Sequence, residues 1–234
     1  MALERLDKIL ASQGIGSRRE VAALIRRGKV TVDGQALLRQ EQKVDPEAAE
    51  ICVDGKPLFV KKYLYLMMNK PSGVLSAARD SRARTVVDLL PPELFRKGLF
   101  PAGRLDKDTT GLLIITDDGE LAHRMLAPKS HIYKLYEAQL DNPVDEDDVE
   151  AFAKGVPLKD FVCLPARLEP CAGNTARVQV REGKFHQVKR MFAARGKTVL
   201  ALTRLQMGGL KLDPTLKPGE SRELTEEELA LIFS

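Results

Sequence analysis

The chain has 234 residues, 44% of them hydrophobic and 30% charged, and a net charge of +4. That length holds one large domain or two unequal ones, and the composition excludes disorder and low complexity. No apolar run approaches the roughly 20 residues that span a bilayer; Cys52, Cys163 and Cys171 are too few and too scattered for a zinc knuckle or a disulfide scaffold.

The amino terminus is charged from its fourth residue and carries no apolar secretory core, so a cytoplasmic compartment is expected. Leu6, Ile9 and Leu10 share one helical face, and Gly14 stands where a carboxy-terminal cap belongs. Ser17 and Glu20 form a capping box ahead of Val21, Leu24 and Ile25, and Gly28 ends that second helix. Val30-Thr31-Val32 then alternates into the turn pair Asp33-Gly34. Between Arg18 and Lys29 five basic residues (Arg18, Arg19, Arg26, Arg27, Lys29) face one acidic residue, an excess that suits phosphates but equally suits a solvated helix face.

Turn residues at Asp54-Gly55-Lys56-Pro57, followed by Lys61-Lys62, mark a linker, dividing the chain into domains 1–60 and 61–234. The second domain opens with a strand-like run from Tyr63 to Met68. Further strands are expected at Leu112 to Thr116, Tyr136 to Leu140, Ala176 to Val180 and Val199 to Leu202. Helices are expected at Glu120 to Leu126, Asp145 to Lys154, Val188 to Arg195 and, behind a Thr225/Glu228 capping box, at the end of the chain. Irregular alternation of these elements indicates an α+β fold.

Chemistry concentrates in the polar loop Gly103-Arg104-Leu105-Asp106-Lys107-Asp108-Thr109-Thr110-Gly111, set before an apolar strand that can hold it rigid. Three readings of Asp106 and Asp108 stand open from the residues alone. They are ligands for magnesium, or one is an anionic nucleophile or base beside Arg104, or both satisfy turn amides.

The same residues, with Thr116-Asp117-Asp118-Gly119 behind them, closely resemble the central motif of the RsuA-type ribosomal RNA pseudouridine synthases. Asn69-Lys70-Pro71-x-Gly73, Lys134-x-Tyr136 and Gly183-Lys184-Phe185-His186-Gln187-Val188-Lys189-Arg190-Met191 resemble three further motifs of that family in the expected order. The first fifty or so residues resemble the S4 RNA-binding domain through Arg5-Leu6-Asp7-Lys8, Ser17-Arg18-Arg19 and the run from Gly28 to Gly34. The resemblance implies a small S4-like α/β domain linked to a mainly antiparallel catalytic domain, and isomerisation of uridine to pseudouridine in ribosomal RNA. Asp106 is then the catalytic carboxylate, Tyr136 the aromatic beside the target base and Lys189 the cation paired with the carboxylate, with Asp108 a structural partner in the loop.

Arg104, Lys70, His186 and Arg190, with Arg18, Arg19, Arg26 and Lys29 of the first domain, are the expected RNA contacts. No cofactor and no metal is implied, because the reaction is an isomerisation. The expected partner is ribosomal RNA or an assembling ribosomal subunit, with no membrane, and a monomer is expected. Chain length resembles the members that act on small-subunit 16S RNA; a large-subunit 23S enzyme, a non-catalytic S4-type RNA-binding factor and a metal-dependent transferase are the alternatives.

Overall fold

The structure, a computed structural model, describes residues 3–234; the start of the amino-terminal reading, Met1 and Ala2, lies outside the described residues. The chain forms two compact units, one running to Tyr63 and including Pro91–Gly98, the other made of Leu64–Leu90 and Leu99–Ser234.

In the first unit β1 (Glu4–Arg5) leads into α1 (Leu6–Ser12) and α2 (Arg18–Arg26), followed by β2 (Val30–Val32), β3 (Gln35–Ala36), β4 (Lys43–Val44), β5 (Ile51–Val53) and β6 (Lys56–Leu58). Leu6, Ile9, Leu10, Val21 and Ile25 are all buried against Val30, Val44 and Ile51. The helical spacing thus delivers one continuous apolar stripe. The capping box is formed as read: the Glu20 amide donates to the Ser17 hydroxyl at 3.4 Å and the Ser17 amide to the Glu20 carboxylate at 2.7 Å. Arg5 grips the buried Asp7 through two hydrogen bonds of 3.0 and 2.8 Å, and that contact holds the Asp7 carboxyl below its ordinary value.

The small antiparallel sheet has the order β3-β2-β5-β6. Asp33-Gly34 turns β2 into β3 with φ of 51° and 77°, the left-handed pair that a two-residue hairpin needs. Asp54-Gly55 does the same between β5 and β6, with φ of 49° and 74°. The expected linker at Asp54 to Pro57 is therefore corrected. Those residues close a hairpin, and Pro57 is tolerated because β6 is an edge strand.

The second unit contains β7 (Tyr65–Lys70), β8 (Phe100–Pro101), β9 (Thr110–Thr116), α3 (Gly119–Leu126), β10 (Lys134–Leu140), α4 (Glu146–Lys154), β11 (Arg167–Pro170), β12 (Thr175–Val180), α5 (Gln187–Ala194), β13 (Val199–Met207), β14 (Leu210–Lys211), β15 (Ser221–Glu223) and α6 (Glu226–Leu231). These strands make a nine-stranded sheet in the order β11-β12-β10-β13-β9-β7-β15, with β14 on β13 and β8 on β9. All the strand pairings of this sheet are antiparallel except β13 with β9, which meet in parallel over two residue pairs, Thr203 with Thr110 and Arg204 with Gly111. With β7 to β9 and the mixed, mainly antiparallel sheet, the chain is α+β, as the sequence pattern indicates.

β9 is buried along almost its whole length, which explains why it reads as an unbroken apolar run rather than an alternating one. Its inward residues Leu112 and Ile114 join Met67, Met125, Met207 and Ile232 in one core, so α3 and α6 cover that side of the sheet. Gly111 has φ of 97°, and a β-carbon there would lie 2.3 Å from the carbonyl oxygen of Arg204. Only glycine lets β9 and β13 come together at this seam.

Candidate active site

The loop 103–109 emerges just before the seam, and its shape is set by the first motif rather than by its own side chains. Lys70, at the end of β7, is completely buried. Its ammonium donates to four backbone carbonyls, those of Pro71 (3.0 Å), Asp106 (3.2 Å), Lys107 (3.2 Å) and Thr109 (2.9 Å). The expectation that Lys70 contacts RNA is corrected: a group with no exposed surface and all its protons committed to the loop has nothing left for a phosphate. Burial pushes this ammonium down to about 8, and the charges of Asp108 and Asp106 oppose the shift. The amide of Gly73 adds a 2.8 Å bond to the Lys107 carbonyl. Ser76 clamps Leu105 at both ends, donating to its carbonyl at 2.8 Å and accepting from its amide at 3.1 Å.

So fixed, Asp106 lines a cleft together with Arg104, Tyr136, Glu182, Lys184 and His186. The Lys189 ammonium, on the first turn of α5, lies 3.3 Å from one Asp106 oxygen and 2.6 Å from Asp108. His186 Nε2 lies 3.6 Å from the other Asp106 oxygen. Asp106 is largely shielded while Asp108 is 71% exposed. The hydrogen bond from Lys189 holds the Asp108 carboxyl below its ordinary value. Asp108 is therefore a competitor for the Lys189 charge more than a brace for the loop.

Tyr136 comes from the middle of β10, is 8% exposed, and its hydroxyl has no hydrogen-bond partner among the described residues. Across the ladder from it stands Arg204 of β13. This arginine is buried and donates from Nε to the Leu112 carbonyl at 2.8 Å. Lys134, the other residue of that motif, is buried and donates to the Ile132 and Arg181 carbonyls at 3.0 and 3.2 Å, and burial lowers its pKa.

The third motif is shaped by Gln187, which is 4% exposed. Gln187 accepts from the Lys184 amide and donates to Glu182, both at 3.0 Å, which folds residues 182–186 onto the start of α5. Arg104 is exposed at the cleft and forms no salt bridge among the described residues. Arg190 does not line the cleft; it pairs with Asp160 and lies 5.3 Å from the centre of the Phe161 ring.

The structure thus brings together Asp106, Arg104, Tyr136, Lys189 and His186, and leaves Lys70 beneath the site and Arg190 beside it. Ser76 and Arg204 were not singled out from sequence. Ser76 carries no motif signal, and Arg204 is a lone cation inside an otherwise apolar strand pattern, a departure that could have marked it.

In the first unit Arg18, Arg19 and Arg26 stand exposed on α2, and Lys29 pairs with Asp54 at 3.1 Å. Two family models match the chain: S4 domain over residues 4–51 and RNA pseudouridylate synthase over residues 64–194. The chain is 50% identical to the uncharacterized RNA pseudouridine synthase YtzG of Bacillus subtilis, over 97% of this chain and 98% of that protein. It is 44% identical to ribosomal small subunit pseudouridine synthase A of Escherichia coli K12, over 97% and 99% respectively. A crystal structure of a pseudouridylate synthase superposes with a TM-score of 0.69 at 35% identity, covering 98% of this chain and 99% of that one. A carboxylate held beside a lysine ammonium in a cleft, full-length similarity of this degree and the two matched models lead to one statement: the chain belongs to the RNA pseudouridylate synthase family, as a pseudouridine synthase with an amino-terminal S4 domain.

Proposed function

We propose that the chain isomerises one uridine of small-subunit ribosomal RNA to pseudouridine, with Asp106 as the carboxylate at which the chemistry happens. The observation that carries this is the placement of Asp106 in a cleft with Tyr136, 3.3 Å from the Lys189 ammonium. Similarity along the whole length to a small-subunit enzyme supports the choice of RNA.

In the reaction the C1′–N1 bond breaks, the uracil turns in place, C1′ bonds to C5, and the C5 proton leaves while N1 gains one. Nothing is oxidised. A base inside folded RNA must first be turned out of its stack. Asp106 faces the everted nucleotide, the Lys189 ammonium 3.3 Å away aims its carboxylate, and Tyr136 lies against the base. Arg104, exposed at the same cleft and without an ion pair among the described residues, holds the opened phosphate backbone.

Arg18, Arg19, Arg26 and Lys29 of the S4 domain supply further phosphate contacts. The functional division falls between residues 1–60 and 61–234, and the enzyme works as a monomer in the cytoplasm. Among the described residues no helix is long and apolar enough to cross a membrane.

The test is to map carbodiimide-reactive pseudouridines in ribosomal RNA from cells with and without the protein, then to assay the purified enzyme. One small-subunit position should lose its modification. Asp106→Ala should reduce tritium release from C5-labelled uridine to background while RNA affinity stays near wild type. Full activity in that variant ends the assignment of Asp106, and a lost large-subunit position ends the choice of RNA.

A further inference from the structure

The third motif places an aromatic pair at the rim of the cleft. Phe185 is 73% exposed, and its ring lies over that of His186 with centroids 3.8 Å apart and planes 16° from parallel. Successive side chains on extended backbone point to opposite sides. Here His186 adopts the left-handed conformation (φ 48°) just before α5, which turns the chain so that the two rings meet face to face. A residue with a β-carbon adopts that conformation at a cost, and the buried Gln187, tied to both Lys184 and Glu182, holds it in place.

The inner ring of the pair faces the reacting centre, with His186 Nε2 3.6 Å from Asp106. The outer ring presents an apolar face to water. A stack therefore begins at the carboxylate and ends in an exposed aromatic surface. Tyr136, at 8% exposure in the floor of the cleft, is placed for the base that enters; Phe185 is placed for a base that stays outside.

We propose that Phe185 is the wedge of this enzyme: its free face stacks on the nucleobase next to the target and occupies the space that the everted uridine leaves. The inference rests on the synthase reading above. Turning a base out forfeits its stacking on both neighbours, and an inserted apolar ring restores one of those contacts whatever the neighbour's sequence.

The experiment uses a synthetic RNA spanning the mapped uridine, tritiated at C5, and the same RNA with abasic sites at both nucleotides flanking the target. Wild type, Phe185→Ala and Phe185→Tyr are compared on both. On the intact RNA, Phe185→Ala should lose about tenfold in kcat/KM, the loss expected for one base–aromatic stack, with Phe185→Tyr close to wild type. On the abasic RNA, which offers no base to stack on, wild type and Phe185→Ala should coincide. An equal loss on both RNAs, or no loss on either, overturns the wedge while leaving the synthase reading in place. A wild-type enzyme that releases no tritium from the intact RNA overturns the synthase reading instead, and the wedge with it.

Discussion

On α2 of the first unit the arginines are exposed, with Arg18, Arg19 and Arg26 in no salt bridge among the described residues. Around the cleft of the second unit several cations are engaged instead. Lys70 is bound to four carbonyls, Lys189 to two carboxylates and Arg204 to a strand carbonyl, while Arg104 at the cleft has no ion pair among the described residues. A cation in water can exchange a counterion for a phosphate, whereas a buried and bonded one fixes geometry. On the function proposed above, similar residue types serve affinity in one unit and placement in the other.

The sharpest way to break this contrast is Lys70→Met. It leaves the loop carbonyls unbonded in a dry environment and should lower unfolding stability by about 3 kcal/mol in urea titrations, with a parallel loss of kcat. A variant that lost RNA affinity alone, with stability intact, would make Lys70 an RNA contact after all.

Next in size is Lys189→Met, which removes the charge beside Asp106 and should cut kcat about a hundredfold in single-turnover assays while leaving RNA affinity near wild type. For the first unit, replacing Arg18, Arg19 and Arg26 by alanine should leave single-turnover kcat unchanged at saturating enzyme. It should flatten the salt dependence of RNA binding by about two to three in log–log slope. An unchanged slope would mean that this helix face is solvated and nothing more.

The smallest effect belongs to Asp108. Its folded value is lowered, so its contribution to stability is complete above the ordinary aspartate value of about 3.9 and is lost as pH falls through the folded one. Asp108→Asn should therefore match wild type in acid and differ slightly from it near neutrality, in thermal melts across that range.

Local signals were the most legible part of the fold. Capping boxes at Ser17/Glu20 and Thr225/Glu228 and the Asp33-Gly34 hairpin turn act within four residues, and each forms as its pattern indicates. β11, β14 and β15 were missed because they are short and defined by their partners rather than by any periodicity of their own. Asp54-Gly55 looked like a linker because a hairpin turn and a linker use the same residues.

At the site, motif order pointed to the residues around Asp106, but the work of Lys70 was hidden. Its bonds to the Asp106 loop span 36 to 39 positions of sequence, and a lysine next to proline and glycine gives no hint that it will be buried. Asp108 was hidden for the opposite reason, since spacing cannot say which of two carboxylates a distant lysine approaches more closely.

The parallel seam at Gly111 joins two otherwise antiparallel ribbons, one bearing the Asp106 loop and the other leading on from α5 with Lys189. Neither ribbon alone assembles the charged pair. If that pair carries the reaction, as proposed above, a half-folded chain is chemically silent. During refolding from urea, tritium release should return no sooner than the slower ribbon.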